Sequence, residues 1–542
     1  MQDDFLETLR NSFFFIYISV LLSWCLVSGS LQFSNTVELE IKAYRLQQFD
    51  FISISRGSRA WKVMYDAVSL KSNALRRCLI VDWKDLLAVD LNSVLGHAVG
   101  GALIILPYNI DDLSSANRLA LEKLDRDLYS LNTNMAVYLT YGNAEIIALL
   151  DEVNVFSQKV SSATQQLFNS IAASTFQFLS SSSVTNNAII PNAANIVGRL
   201  WASDRNSPTV VVVAHYDSHS AVPSLSQGAD SNGSGVAALL ELLAILSQFY
   251  ASTVTRPKYN IVFLLSAGGK FNYQGSRQWI EDNIEKQPDH SIEMVICLDT
   301  IGNDNGLTVH VSKMPSDSSS IGKIYTYLKM FTSSSRTLSI ISKKINLNAD
   351  VLSWEHERFS IRRLPALTIS RLKSHTDPIR TSLLDSSKQL NFQALEANIN
   401  CIAEALLAYL LVLPDPNCTN SNNGSLYSVL NKDNRNGRVQ QWIKLFGAEP
   451  RPLAGNNDHI IASLKDTVAR LSSGHVTVEP VSLLDVSLYG VLEDQLVAHR
   501  VKPAIFELIL ALFISVYLFG IYFVALNIQL YIEKTLVKLK KS

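Results

Sequence analysis

Short apolar runs that lead directly into histidine or aspartate limit the folds open to this chain. Residues 209–214 read TVVVVA and lead into His215 and Asp217, and residues 294–298 lead into Asp299. Continuous β-branched and aliphatic runs of this length are typical of strands buried in a parallel sheet. Ligands of open α/β sheets bind beyond the carboxyl ends of the strands. The sequence therefore predicts a site at that edge of a sheet.

Two further apolar runs bring polar residues to the same edge. Residues 260–266 read NIVFLLS and run into Gly269 and Lys270, and residues 364–370 precede His375. Because both runs have the length and composition of buried strands, we expect the segments that follow them to lie beside His215 and Asp299.

Asp230 lies in the segment GADSNGSG, directly before a helical pattern at residues 236–246. The glycines allow close approach of the backbone at the start of that helix. Taken alone, Asp230 is more consistent with helix capping than with ligand binding. Its place among the other strand-end residues favours the ligand role.

The order of these motifs resembles that of the zinc aminopeptidase and glutaminyl cyclase superfamily, which includes nicastrin. The motifs are His-x-Asp, Asp-x-Asn-Gly-x-Gly, a strand-end Leu-Asp and a late His-Thr, and the resemblance covers residues 190–412. It implies that His215 and Asp299 hold a first metal, that Asp230 bridges two metals and that His375 holds the second. Asp217 lies two residues after His215 in an extended segment, so both side chains point the same way and Asp217 is placed to orient the imidazole.

Gly269 and Lys270 stand where this superfamily has a pair of glutamates, counted back from a Gly-Ser pair at 275–276. The first glutamate of that pair is the general base and the second is a metal ligand. Glycine has no proton acceptor, and a charged lysine only donates. We therefore predict a pseudoenzyme with no catalytic residue and no cofactor, in which Lys270 faces Asp230 in place of a metal.

Two alternatives to this prediction stay open. A single zinc on His215, Asp230 and Asp299 would have three protein ligands plus water. A working aminopeptidase would need Glu355 or Glu357 to replace the missing base.

Further segments resemble nicastrin-like membrane proteins of the endoplasmic reticulum over most of the chain, among them SAGGKFNYQGS and WEHERFSIRRLP. This resemblance implies a subunit of a translocon-associated complex that supports the insertion and assembly of multi-pass membrane proteins. The implied partners are Nodal modulator, a small multi-pass membrane protein and the Sec translocon. The alternative within this class is a substrate-screening receptor like nicastrin. Nucleic acid is not expected as a partner, because the formal net charge is −1.

Targeting segments predict a single-pass type I membrane protein of the endoplasmic reticulum. Residues 1–29 read as a signal peptide, with an uncleaved anchor as the alternative. Residues 504–530 contain an apolar stretch that is long enough to span a bilayer. The lysine-rich tail at 531–542 favours a cytosolic end, and its Lys538 and Lys540 resemble a retrieval signal.

The expected fold class is α/β, with a zinc-aminopeptidase-like, mostly parallel sheet flanked by helices. The expected domains are an N-terminal lumenal α/β lobe at 30–185, the aminopeptidase-like domain at 190–412, a lumenal stalk at 415–503 and one C-terminal transmembrane helix. Asn417 and Asn423 lie in Asn-x-Ser/Thr sequons of a polar stretch and are predicted to carry glycans.

Overall fold

The structure, a computed structural model, describes residues 39–70, 76–96, 100–157, 175–182, 187–286, 291–304, 306–412, 437–501 and 504–541. The predicted signal peptide and both predicted glycosylation sites, Asn417 and Asn423, lie outside these residues. The strands described, β1 to β20 in chain order, are Leu39–Arg45, Gln48–Phe51, Ile54–Ser58, Met64–Val68, Cys78–Asp82, Gly101–Leu106, Asn132–Thr133, Ala136–Tyr141, Thr175–Ser180, Ala188–Ile189, Ala194–Leu200, Thr209–His215, Asn260–Ser266, Ile292–Leu298, Gly306–Val311, Thr337–Ser342, Ala366–Ser370, Val476–Pro480, Val486–Tyr489 and Glu493–Val501.

Helices lie between these strands. The α-helices described are Trp83–Leu86, Leu91–Leu95, Ser115–Ser130, Ala144–Ser157, Ser234–Ala251, Gln274–Ile280, Ser320–Phe331, His356–Ile361, Phe392–Leu410, Arg438–Phe446, Asp458–Leu471 and Ala504–Lys541. Short 3₁₀ turns occupy Pro223–Leu225, Pro378–Thr381 and Ser387–Gln389, and π-helical turns occupy Ala229–Gly233 and Glu281–Glu285.

An N-terminal lobe is built on a closed barrel with the strand order β1-β20-β9-β4-β5-β6-β8. Its parallel strands β5, β6 and β8 are apolar and buried almost throughout, as strands covered on both faces require. A second, five-stranded sheet has the order β10-β19-β2-β3-β7. The hairpin of β2 and β3 reaches the central domain, where Phe49 and Phe51 of β2 pack against Phe271.

The central domain is built on an eight-stranded mixed sheet with the order β16-β15-β17-β14-β12-β13-β11-β18. Strands β13, β12, β14 and β17 are parallel neighbours, so their carboxyl ends lie at one edge. Strand β13 has the bounds that the sequence predicts, and β12 extends the predicted run by one residue to His215. The polar segments predicted to share one sheet edge therefore do so.

One face of the central sheet is covered by the helix Ser234–Ala251, which contains the predicted helical segment 236–246. Fifteen of its eighteen residues are buried, which places this apolar helix in the core of the domain. The helix Phe392–Leu410 packs in the same core through Leu395, Ile402 and Leu406. Burial of this many aliphatic side chains is the main force that holds the helices on the sheet.

Residues 438–501 join both lobes, although the sequence analysis expected a stalk over 415–503. Strand β18 pairs with β11 at the edge of the central sheet, and β20 pairs with β1 and β9 in the barrel. Arg438 donates through two nitrogens to the buried Glu241 of the central helix. The pairing partners lie up to several hundred residues away in sequence, so composition alone does not reveal them.

Two helices of the described residues are long and apolar enough to cross a membrane. In the first, Ala229–Ala251, 83% of the most apolar stretch is buried, so this segment belongs to the core of the central domain. Residues Leu508–Val537 belong to the C-terminal helix, and none of their most apolar stretch is buried. Lys538 and Lys540 lie in the last turns of that helix.

Candidate functional site

The carboxyl ends of the parallel strands meet at a buried cluster of His215, Asp217, Asp230 and Asp299, which we term the strand-end site. Asp217 and Asp299 follow strands β12 and β14, and Asp230 belongs to the π-helical turn Ala229–Gly233. His215 is 1% exposed and the three aspartates are fully buried. The sequence motifs are thus brought together, but in a place that is closed to solvent.

Asp230 is neutralised by Arg371, which directly follows strand β17. The Oδ2 atom of Asp230 accepts a hydrogen bond from Arg371 Nε at 2.7 Å, and Oδ1 accepts from the backbone N–H of Gly302 at 2.8 Å. A buried carboxylate is costly unless it is paired and hydrogen-bonded, and here both oxygens have donors.

Asp299 is neutralised by a second arginine, Arg380. The Oδ2 atom of Asp299 accepts from Arg380 Nη2 at 2.6 Å, and Oδ1 accepts from the Thr300 hydroxyl at 2.6 Å. Burial alone would raise the pKa of Asp299, but Arg380 and then Lys270 outweigh it and lower the pKa to about 2. The Arg380 guanidinium therefore holds Asp299 in its charged form.

Arg380 is itself fixed from several sides. Its Nη2 atom also donates to the Tyr273 hydroxyl at 3.0 Å, and its guanidinium lies 4.8 Å from the centre of the Trp354 ring. Its Nη1 atom donates to the carbonyl oxygens of Ser353 and His375, both at 3.3 Å. This planar group is held in one orientation, as bidentate and stacked arginines are.

Lys270 is near the strand-end site but does not face Asp230. Its ammonium donates to the carbonyl oxygen of Ser231 at 3.4 Å, while the cation on Asp230 is Arg371. Burial and the nearby Arg380 lower the pKa of Lys270 to about 8, against the opposing pull of Asp299. The prediction that Lys270 is the counter-charge of Asp230 is therefore wrong, because an arginine that sequence spacing did not identify fills that place.

Gly269 is closed in by His215. The N–H of Gly269 donates to Asp217 Oδ1 at 3.0 Å. A Cβ atom added at Gly269 would lie 2.5 Å from Cδ2 of His215 and closer still to its Cβ and Cγ, which real contacts do not allow. The imidazole thus fills the space that a glutamate at this position would need.

Glu355 lies beside His215 rather than at an open cleft. Its Oε1 atom accepts from the hydroxyls of Ser266 at 2.8 Å and Ser276 at 2.6 Å. Its Oε2 atom is 3.5 Å from His215 Nδ1, and both side chains are fully buried. Glu357, the other candidate base, is buried and accepts from the N–H of Ser353 at 3.1 Å. Both carboxylates are buried and hydrogen-bonded within the protein.

The described residues do not offer a metal-binding constellation. No group of three or more His, Cys, Asp or Glu among them is placed to hold a metal ion. His375 lies partly exposed in the loop after β17, and its carbonyl oxygen accepts from Arg380. Zinc needs ligand lone pairs that point inward, whereas the oxygens of Asp230 and Asp299 already accept from N–H and O–H donors. The donor set therefore does not fit a pair of zinc ions.

Two further buried charged residues support the site, and the sequence analysis missed both. The carboxylate of Asp385 accepts from the backbone N–H groups of Asp230 at 2.8 Å and Ser231 at 2.7 Å. Burial and the neighbouring Asp230 raise the pKa of Asp385 to about 6. Arg451 donates to the carbonyl of Tyr216 at 2.8 Å. Both come from irregular segments, which carry no periodic signal.

The N-terminal lobe covers the segment that follows Lys270. Phe271 packs edge-on against Phe49 at 5.8 Å and Phe51 at 6.2 Å between ring centres, and both belong to β2. His219 lies 4.8 Å from Phe271 and 5.2 Å from Phe49. Burial lowers the pKa of His219 to about 3, so its ring is neutral among these aromatic residues.

Residues 382–386 form a second contact between the lobes, which we term the interlobe strap. Asp125, on the helix Ser115–Ser130, accepts from the Ser382 hydroxyl at 2.8 Å and from the N–H of Leu383 at 3.0 Å. Burial raises the pKa of Asp125 to about 7. Leu383 and Leu384 pack in a core cluster of the N-terminal lobe. The strap thus ties the helix of one lobe to the site of the other, since Asp385 belongs to it.

Residues 195–396 match peptidase family M28. The crystal structure of the gamma-secretase component nicastrin superposes with a TM-score of 0.56 over 85% of this chain and 99% of that chain, at 10% sequence identity. At this identity the likeness concerns the fold alone. Fold and strand ends together define the central domain as an M28-type peptidase domain.

Similarity to curated proteins extends over the whole chain. Nicalin of Caenorhabditis elegans is 38% identical over the full length of both proteins. BOS complex subunit NCLN of Homo sapiens is 31% identical over 92% of this chain and 91% of that protein, and BOS complex subunit ncln of Danio rerio is 33% identical over 90% of each. The chain belongs to the nicalin family.

Proposed function

We propose that this protein is a non-catalytic subunit of a translocon-associated complex in the membrane of the endoplasmic reticulum. Its work there is to support the insertion and assembly of multi-pass membrane proteins by binding other subunits. The observation that carries the proposal is the full-length similarity to proteins named as BOS complex subunits. The buried, arginine-paired carboxylates of the strand-end site support a role in binding rather than in hydrolysis.

The loss of activity follows from three features that support one another. Gly269 and Lys270 supply no general base, His215 fills the space that a larger residue at 269 would need, and Arg371 and Arg380 occupy the carboxylates. General acid–base catalysis contributes about 10²- to 10⁴-fold to a rate. Its loss here is compounded by the burial of the carboxylates of the site.

The C-terminal helix is the proposed membrane anchor. Leu508–Val537 spans 30 residues, or about 45 Å at about 1.5 Å per residue, which exceeds the ~30 Å hydrocarbon core. The lysines that follow favour a cytosolic tail. The proposed arrangement is therefore a cleaved signal at 1–29, a glycosylated lumenal body with glycans on Asn417 and Asn423, one span at 504–530 and a tail at 531–542.

Affinity purification of the full chain in mild detergent tests the proposal. We expect recovery of Nodal modulator, a small multi-pass membrane protein and Sec translocon components. Recovery of an intramembrane protease in their place would instead support a receptor of the nicastrin kind. Chelator-sensitive hydrolysis of aminoacyl fluorogenic peptides would support a working aminopeptidase and would contradict the proposal.

Retention of the protein in the endoplasmic reticulum is tested separately, with the double variant Lys538→Ser, Lys540→Ser. If these lysines form a retrieval signal, the variant leaves the endoplasmic reticulum and its glycans become resistant to endoglycosidase H. Lys534→Ser is the matched control, because it removes a lysine of the same tail outside the proposed signal. Unchanged glycans in the double variant would contradict the assignment of Lys538 and Lys540.

A further inference from the structure

The two edges of the eight-stranded central sheet are protected to very different degrees. Strand β18, at one edge, carries Glu479 and Pro480, and Arg199 of the adjacent strand lies 3.6 Å from Glu479. Charged residues and proline are the usual means by which proteins protect a sheet edge from pairing with another chain. Strand β16, at the other edge, reads TLSIIS and contains neither a charged residue nor a proline.

The outer side of β16 presents unpaired backbone groups. Within the described residues β16 pairs with β15 alone, in parallel. The N–H of Lys343 donates inward to the carbonyl of Val311 at 2.9 Å. Because inward and outward groups alternate along a strand, the N–H and C=O groups of Leu338, Ile340 and Ser342 point to the open side. They offer the pattern of donors and acceptors that an added strand requires.

The surroundings of this edge are basic. Residues 313–344, which run from the turn after β15 to just beyond the end of β16, contain six Lys and Arg against one Asp, whereas the whole chain has 47 Lys and Arg against 48 Asp and Glu. Lys313 follows β15 and Lys344 follows β16 at the same end of this parallel pair, and both are exposed. The positive charge therefore lies where a strand added to β16 would begin or end.

We propose that the open edge of β16 binds an extended, acidic segment of a partner protein as an added strand. The uncharged edge supplies main-chain hydrogen bonds, and Lys313, Lys343 and Lys344 select the acidic flank. A second copy of this chain is a poorer occupant, because antiparallel self-pairing would bring the lysine ends toward Arg336 of the other copy. The proposal does not depend on the translocon-associated role, since such an edge would serve any complex.

Ser342→Pro tests the edge in the full chain, purified in mild detergent. The side chain of Ser342 is exposed and its N–H points outward, so proline there removes a donor from the open side and none from the pairing with β15. Ser342→Thr is the matched control, because it keeps the donor. The melting temperatures of both variants establish that they fold.

The probe is a fluorescein-labelled peptide of alternating Thr and Val, about eight residues long, with Asp pairs at both ends. We expect equal binding to the unmodified chain and to Ser342→Thr, and at least about tenfold weaker binding to Ser342→Pro. N-methylation of every peptide nitrogen should abolish binding, because it removes the N–H donors on both sides of the added strand. The proposal would be overturned if Ser342→Pro bound the peptide as tightly as the unmodified chain does. It would also be overturned if the N-methylated peptide bound as tightly as the unmethylated one.

Charge reversal provides the second variant, which leaves the strand itself intact. The double variant Lys313→Glu, Lys344→Glu should bind the peptide about tenfold more weakly than the unmodified chain at low salt. This difference in affinity should vanish near 1 M salt, where the Debye length is about 3 Å. Vesicles that contain phosphatidylserine serve as competitors. If they displace the peptide and bind the proline variant as well as the unmodified chain, the patch is a lipid-binding surface and the strand-pairing proposal fails.

Discussion

The strand-end site and the interlobe strap are both buried and acidic, but they neutralise their carboxylates differently. Asp230 and Asp299 are paired with arginines, and the pKa of Asp299 falls to about 2. Asp125 accepts hydrogen bonds from the neutral donors of the strap, and burial raises its pKa to about 7. The contrast shows that burial alone does not decide the charge of a carboxylate. A fixed internal cation does.

The largest effect is expected from removal of Arg380. Arg380→Gln would leave Asp299 charged and buried without its cation, which typically costs about 3–5 kcal/mol of folding stability. Urea unfolding of the variant and of the unmodified chain measures this loss. A loss below about 1 kcal/mol would show that Asp299 does not depend on Arg380.

A double variant sharpens the same prediction. Asp299→Asn added to Arg380→Gln removes the orphaned charge, so we expect it to recover a large part of the lost stability. If the stability losses of the single variants Arg380→Gln and Asp299→Asn simply add in the double variant, Arg380 and Asp299 are not coupled. In that case the strand-end site does not depend on this arginine.

A smaller loss is expected from added volume in the strand-end site. Gly269→Ala places a methyl group against the His215 ring, and overpacking of this kind costs about 1–3 kcal/mol. Gly520→Ala is the matched control, because the same added methyl group meets nothing within 4 Å there. Equal stability of Gly269→Ala and the unmodified chain would show that the site has room for a longer residue.

The smallest effect is expected at the interlobe strap and depends on pH. The pKa of Asp125 is raised in the folded protein, so folding favours its protonated form. Stability is therefore greatest below the unfolded pKa of about 4 and falls as pH rises toward 7. Asp125→Asn keeps an acceptor and removes the charge. It should be more stable than the unmodified chain by about 1–2 kcal/mol at pH 8, with the difference shrinking toward pH 4.

The pH dependence of melting temperature between pH 4 and 8 measures this effect. Asp282→Asn is the control, because the hydrogen bond from Lys286 lowers the pKa of this partly exposed carboxylate, which is the opposite direction. If Asp125→Asn and the unmodified chain lose stability in parallel as pH rises, Asp125 does not titrate in this range.

The strands and their polar ends could be predicted because the signal is local. A buried parallel strand is a short apolar run, and β13 has the predicted bounds of residues 260–266. The predicted convergence of His215, Asp217, Asp230 and Asp299 also follows from one rule, that parallel strands end at one edge.

The cations of the site could not be predicted in the same way. Arg371 and Arg380 reach Asp230 and Asp299 across 141 and 81 residues of sequence, and no spacing rule joins them. Its place at an expected ligand position predicts that Lys270 faces Asp230. The ammonium of Lys270 instead donates to the carbonyl oxygen of Ser231. The pairings of β18 with β11 and of β20 with β1 and β9 could not be predicted for the same reason, since strand pairing is a long-range property.

Zinc content tests the central claim most directly. The full chain, purified in mild detergent, is incubated with excess zinc, freed of unbound metal by gel filtration and analysed by atomic emission. Because arginines already pair with Asp230 and Asp299, we predict far less than one zinc ion per chain. One or two tightly held zinc ions per chain, lost on Asp230→Asn and Asp299→Asn, would contradict the account.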